Sequence, residues 1–270
     1  MKAVEGAGSV EDTDAVEGCD AVAARGLNKH FKAHHAVVDV DFDVPAGGSL
    51  GIVGESGSGK TTIARMLVGL ERPSGGTITV MGRDRSRPAR GARERGRRAR
   101  ELQIVFQDPY TSLDPSQSAR AAVEEVLRHH GRDLSLAQDL VDQVGLTERQ
   151  SHARPRDLSG GQRQRVAIAR ALAASPKVLI LDEAVSALDV SIQAQVLNLL
   201  ADIRAETGIA YLLISHDLAV VRQLCDTVLV LRRGRVVEQG ECDRVLDDPA
   251  EDYTRALREA VPVPGWTVNA

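Results

Sequence analysis

Aromatic residues are scarce in this 270-residue chain, at 3%, so Leu, Val, Ile and Ala must fill whatever core it forms. Cysteine is nearly absent too. Cys19, Cys225 and Cys242 lie far apart, which excludes a disulfide framework and any close metal-binding spacing and suits a reducing cytosol. No basic segment followed by an apolar run opens the chain, so no secretory signal is expected. Nowhere do 18 apolar residues follow one another, so no helix is expected to span a bilayer, and any membrane role must come through a partner. Positive charge is not in excess either. A net charge of -4 and a pI near 6.0 give nothing global to attract nucleic acid. What remains is a composition of 43% hydrophobic and 27% charged residues, ordinary for a folded domain, in a length that suits one large domain or two small ones.

Along the chain, residues 1–20 carry Glu5, Glu11, Asp12, Asp14, Glu17 and Asp20 among small residues and read as a disordered acidic tail. Val38, Val40, Phe42 and Val44 alternate with Asp39, Asp41 and Asp43, the period of a half-buried strand over Val37–Val44. Ser49–Val53 is a short apolar strand that enters a glycine-rich loop and then a helix over Lys60–Leu70. Thr77–Val80 reads as another strand. Residues 83–100 hold nine Arg against Asp84 and Glu94 and read as a solvated loop and helix, with contact to anionic lipid or a membrane partner as the alternative. Apolar residues at helical spacing, without strand signals, mark a separate helical unit over about 112–165. Strand–helix alternation then resumes: a strand at Val178–Leu181, a helix from N-cap Asp189 to Thr207, a strand at Ile209–Ile214, a helix at Leu218–Cys225 and a hairpin around Arg233-Gly234. Buried parallel strands connected by helices predict an α/β fold with one helical insert.

Gly54-Glu55-Ser56-Gly57-Ser58-Gly59-Lys60-Thr61 fits G-x-x-x-x-G-K-[ST], between a strand and a helix as that loop requires. Its glycines let backbone N–H groups turn inward around a phosphate, and the helix N-terminus adds partial positive charge. Lys60 is expected to reach the β- and γ-phosphates, Thr61 to ligate Mg²⁺ and Thr62 to touch the α-phosphate. This loop alone does not separate a kinase, a GTPase and a transport ATPase.

Leu158-Ser159-Gly160-Gly161-Gln162 opens a second helix, where Ser159 can act as cap and the two glycines expose free N–H groups. One chain thus has two phosphate-type helix ends, about a hundred residues apart. Here the chain resembles the ABC ATPase family, whose signature is LSGGQ. The resemblance implies a P-loop NTPase core with a mostly parallel sheet, an N-terminal antiparallel β subdomain and an inserted all-helical subdomain. It also implies that Ser159, Gly160, Gly161 and Gln162 of one subunit close in trans over the γ-phosphate held by the other.

Further motifs support the resemblance. Val178–Leu181 followed by Asp182 and Glu183 is four apolar residues before two acids, and a buried strand delivers such carboxylates to the carboxyl edge of a sheet. Asp182 is expected to hold Mg²⁺, and Glu183 to polarise the attacking water as general base. Ser186-Ala187-Leu188-Asp189 matches the family's loop across the dimer interface, with Ala184 where many members have Pro. His216 after Leu213-Ile214-Ser215 matches the switch histidine. Gln107 matches the glutamine that ligates Mg²⁺ or positions water, a relay between site and partner. Phe31 resembles the aromatic that stacks on adenine; a core role competes, and His30 is the fallback. Adjacent His34-His35 and His129-His130 point apart and make poor metal clamps.

The resemblance covers roughly residues 21–262, leaving 263–270 as a tail. It is closest to ATPases of the oligopeptide, dipeptide and nickel importer type, on Phe106–Pro115, Val185–Leu200 and Tyr253–Leu257. It implies ATP and Mg²⁺ as cofactors and a second cassette, identical or different, as partner. It further implies membrane permease subunits, a solute-binding protein acting through them, and a peripheral place on the cytoplasmic face of the cell membrane. The family's cysteine-rich extension is missing, so no iron–sulfur cluster is expected. An ABC exporter subunit and a non-transport ABC ATPase remain alternatives.

Overall fold

Alternating valines and aspartates over residues 37–44 build one half of a long hairpin: β2 (His34–Pro45) buries Val38, Val40, Phe42 and Val44 and exposes Asp39 and Asp41. The computed structural model describes residues 20–32, 34–108 and 113–260; the tail over 263–270 and, of the acidic tail expected over 1–20, residues 1–19 with Cys19 lie outside that range, while Asp20 already belongs to a strand. β2 pairs antiparallel with β1 (Asp20–Phe31), which pairs in turn with β4 (Gly75–Val80), and β5 (Arg83–Asp84) completes a four-stranded antiparallel sheet. β1 is a strand that the sequence pattern does not announce. Ala21, Ala23, Ala24 and Gly26 have little strand propensity, and pairing on both edges decides the conformation instead.

The second sheet has strand order β10-β9-β3-β8-β7-β6, formed by β3 (Ser49–Val53), β6 (Leu102–Phe106), β7 (Val178–Asp182), β8 (Ala210–Ile214), β9 (Thr227–Arg232) and β10 (Arg235–Glu241). All its pairings are parallel except β9 with β10. Its central strands are buried on both faces, which is why they read as unbroken apolar runs. Along β7, Leu179 and Leu181 face a core shared with the helices, while Val178 and Ile180 face a core shared with β1, β2 and α1 (Lys60–Leu67). α1 ends three residues before the expected Leu70, because Gly69 takes a left-handed backbone that unwinds it.

Between β6 and β7 the chain forms α3 (Ala119–His129), α4 (Leu136–Gln143), α5 (Glu148–Ser151) and α6 (Gly160–Leu172), after α2 (Gly91–Glu101) has carried the arginine-rich stretch. No residue of α2 is buried, and its acids are engaged: Glu101 with Arg83, Arg85 and Arg97, Glu94 with Arg98. At the end of α3 the rings of His129 and His130 meet edge to face, 5.0 Å between centroids, instead of pointing apart; His130 already has a non-helical backbone, which turns the two rings together. His35 stacks on His30 at 3.6 Å. After β7 come α7 (Val190–Thr207), stopped by left-handed Gly208, and α8 (Leu218–Leu224). Asp189 holds the N-cap position of α7 by backbone, its carbonyl taking Gln193 N–H at 2.8 Å, but its side chain makes no capping bond. α9 (Cys242–Asp247) and α10 (Asp252–Glu259) close the described chain.

Candidate functional site

Parallel pairing aligns four strand ends in one row: Ile52 of β3, Ile214 of β8, Asp182 of β7 and Phe106 of β6 are register partners in turn. The residues just past that row are Gly54, His216, Glu183 and Gln107. Segments more than 160 residues apart in sequence therefore deliver their polar groups to one carboxyl edge.

The loop after β3 turns on Gly54, Gly57 and Gly59, each with positive φ. A Cβ at Gly59 would lie 2.5 Å from the Ala36 carbonyl oxygen, and one at Gly54 2.1 Å from the Leu231 oxygen, so no larger residue fits without moving backbone. Lys60 is buried and donates to the Gly54 and Glu55 carbonyls at 2.7 and 2.9 Å. Burial pulls its ammonium below the ordinary lysine range, while Glu183 and Asp182 push it back up. Ser58 Oγ is buried and, among the described residues, has no hydrogen-bond partner. A buried hydroxyl left without a protein partner is a polar group that a ligand or water would satisfy.

Thr61 Oγ1 donates to Asp182 Oδ1 at 3.2 Å. Burial pushes the Asp182 carboxyl above its usual range, with the Thr61 bond opposing and Glu183 adding to the rise. Two hard oxygen donors, one a buried carboxylate that a cation would stabilise, fit Mg²⁺. Glu183 adopts φ 50, a left-handed conformation costly for a non-glycine residue. Its N–H donates to the Ile214 carbonyl at 2.9 Å and its carbonyl accepts from Ser186 Oγ at 2.9 Å, bonds that hold the turn. The Glu183 carboxylate lies 3.7 Å from Nδ1 of the half-exposed His216. Gln107 donates from Nε2 to Ser186 Oγ at 3.3 Å, so it is joined to the segment after Glu183.

Ser159 caps α6 as expected from its sequence position: Gln162 N–H reaches Ser159 Oγ at 3.3 Å, and the Gln162 side chain returns a bond to Ser159 N–H at 2.9 Å. Gly160 and Gly161 face Leu188 and Ile192; a Cβ at Gly161 would meet Ile192 Cγ2 at 2.3 Å. Among the described residues, no hydrogen bond or ion pair joins 159–162 to the loop at 54–62. The structure thus brings Lys60, Thr61, Asp182, Glu183 and His216 to one place and keeps Ser159–Gln162 beside Ser186–Asp189. Phe31 ends β1 with 41% of its surface exposed, and Lys29 Nζ lies 4.6 Å from its ring centroid.

Sequence reasoning misses the supports of the phosphate loop. Gly234 N–H donates to the Ser58 carbonyl at 2.9 Å, and Val38 N–H to the Gly234 carbonyl at 2.8 Å, so the β9–β10 turn and β2 brace the loop from outside. Only the glycine in the Arg233-Gly234 turn hinted at this, and it carried no sign of what it would touch.

The family model described as ABC transporter matches residues 37–186. "Probable peptide ABC transporter ATP-binding protein y4tS" of Sinorhizobium fredii is 48% identical over 236 residues, covering 85% of this chain and 66% of that protein. "Glutathione import ATP-binding protein GsiA" of Escherichia coli is 46% identical over 242 residues, covering 88% of this chain and 38% of that protein. The chain therefore spans two thirds or less of the length of these relatives. Among solved structures, the ATP-binding cassette MJ0796 bound to ADP and Pi superposes with a TM-score of 0.74 at 28% identity, covering 82% of this chain and 98% of that one. The structure of cbiO1 from Clostridium perfringens, part of the ABC transporter complex cbiONQ, gives a TM-score of 0.76 at 28% identity, covering 85% of this chain and 91% of that one. With more than half its length matched by the family model and 48% identity to a member over 236 residues, the chain belongs to the ABC transporter family and has the fold of its ATPase cassette.

Proposed function

We propose that this cassette hydrolyses ATP as one half of a head-to-tail pair and thereby drives import of peptides or similar small solutes through membrane permease subunits. One observation carries the reading. Of two glycine-rich helix starts on the chain, one carries Lys60 and Thr61 and is joined through them to the Asp182, Glu183 and His216 group, and the other, among the described residues, has no hydrogen bond or ion pair to any of these. Two such ends, set apart in one chain, serve two different nucleotides once a second cassette faces the first. The 159–162 turn of each chain then completes the site of the other.

In this reading the amides of the 54–61 loop other than Glu55 and Ser58, whose N–H groups are held by Tyr253 and by the Glu55 carbonyl, join the Lys60 ammonium in binding the β- and γ-phosphates, Thr62 touches the α-phosphate, and the exposed Phe31 ring stacks on adenine. Thr61 and Asp182, joined by Gln107, would hold Mg²⁺, which when bound neutralises phosphate charge. Glu183 orients the attacking water and takes its proton; His216, 3.7 Å away, contacts the γ-phosphate side and keeps the carboxylate in place. Ser186 links Gln107 to the Glu183 turn, so the relay residue and the base move together. Among the described residues no helix is long and apolar enough to cross a membrane, and in this reading permease subunits receive the work. A groove of about 400 Å³ between β6, α3 and α6, lined by Gln103, Phe106, Glu125, Val126 and His129, lies beside Gln107 and suits a permease helix. The peptide and glutathione importer relatives support the direction and cargo class.

Phosphate release by the purified chain tests the enzymatic half: activity should need ATP and Mg²⁺ and rise more than linearly with protein concentration. Activity strictly linear in protein would remove the paired site. Co-expression with neighbouring permease genes should retain the chain on membranes, and failure to do so would remove the transport half.

A further inference from the structure

The phosphate loop is joined to a residue nearly 200 positions away. Glu55 N–H donates to the hydroxyl of Tyr253, on α10, at 3.2 Å. Tyr253 is buried within the core, and the guanidinium of Arg232 lies 4.6 Å above its ring. α10 is anchored at its start, where Ala250 and Glu251 N–H donate to the carboxylate of Glu238 on β10 at 2.8 and 3.3 Å. The β9–β10 hairpin thus places both the helix and the cation that flank the tyrosine.

The bond falls at a sensitive plane. The peptide joining Gly54 to Glu55 has its oxygen taken by Lys60 at 2.7 Å and its N–H taken by Tyr253. In the next peptide, the Glu55 carbonyl accepts from Lys60 and from Ser58 N–H at 2.9 and 3.2 Å. When Lys60 turns to a phosphate, both carbonyls lose it as a partner, and the Tyr253 bond is the hold on the first plane that remains. Gly54, at φ 150, is the residue best able to let that plane rotate.

We propose that Tyr253 is a positioning residue for nucleotide binding, fixing the Gly54–Glu55 peptide so that the amides beyond it stay aimed at the phosphates. This role rests on the ATPase reading above. Tyr253→Phe keeps the ring, its burial and the Arg232 contact and removes only the acceptor. Titration with ATP and Mg²⁺ should show affinity about 3- to 10-fold weaker, the worth of one hydrogen bond. KM for ATP should rise by the same factor, with kcat within about twofold, since the bond touches no reacting atom. Arg258→Gln, on the same helix but bonded, among the described residues, to the Asp247 carbonyl and not to the phosphate loop, should bind ATP as the wild type does. Equal affinity in Tyr253→Phe and wild type would overturn the role, as would an equal loss in Arg258→Gln, or lower melting temperature without change in ATP affinity. A wild-type protein that binds no ATP would overturn the parent reading instead, which separates the two failures.

Discussion

The two glycine-rich helix starts differ in how they satisfy their own backbone. α1 begins at Gly59 in a left-handed conformation with no side-chain cap, in a loop wedged against Ala36, Leu231 and Gly234. α6 begins at Ser159 with a reciprocal capping box formed by Gln162, on a surface where Ser159 is exposed and Gln162 half-buried. The first is held by tertiary packing and has no side chain capping its first turn. The second is held by its own side chains and stays folded without a ligand. A rigid cradle needs support from outside the loop; a turn that must meet another molecule needs local stability and exposure. The difference fits one end that binds and another that closes.

The largest effect should come from a change that leaves both ends intact. Glu183→Gln should keep ATP affinity and lower phosphate release by roughly 10²–10⁴, the worth of a positioned base. ATP-bound pairs should accumulate and be visible by gel filtration; wild-type turnover would remove Glu183 from its role. Next, Lys60→Ala should weaken ATP binding by roughly 10- to 100-fold, because a charge-assisted bond to phosphate is lost. Calorimetric affinity equal to wild type would break the binding half of the comparison. Ser159→Arg, placed in both copies of the Glu183→Gln protein, should abolish the ATP-dependent dimer while monomer affinity stays within about twofold. A persisting dimer would show that the 159–162 turn does not close on a partner.

The smallest effect concerns stability. Burial raises the folded-state pKa of Asp182 above that of an unfolded chain, so the ionised carboxylate penalises the folded form, and that penalty appears as pH rises through the raised value. Asp182→Asn keeps the oxygen that accepts from Thr61 and removes the charge. At neutral pH it should melt a few degrees higher without nucleotide and lose turnover. A lower melting point would mean that Lys60 and Thr61 already compensate the charge.

Much of the site could be read along the chain because its parts are local. Gly54–Thr61, Ser159–Gln162 and the Asp182-Glu183 pair each carry their chemistry in consecutive residues, and the strands over 49–53 and 178–182 need only continuous burial to be recognised. β1 was not legible, since alanines and a glycine become a strand only between two partners. The α1 boundary moved because one glycine, Gly69, outweighed the apolar residues after it. The braces from Ala36, Gly234 and Tyr253 left no signal, because a backbone carbonyl or a lone tyrosine looks the same wherever it points.

By itself the sequence determined the family of chemistry: a phosphate loop, an acid pair at a strand end, and a second capped glycine turn, all set by residue type at short range. Tertiary structure alone decided their mutual placement. Register across β3, β8, β7 and β6 puts Gly54, His216, Glu183 and Gln107 on one edge, while packing of the helical insert sets Gly160 and Gly161 against Leu188 and Ile192. Which distant residues meet depends on strand order and pairing, and those follow from how the whole chain buries its apolar surface, not from any one segment.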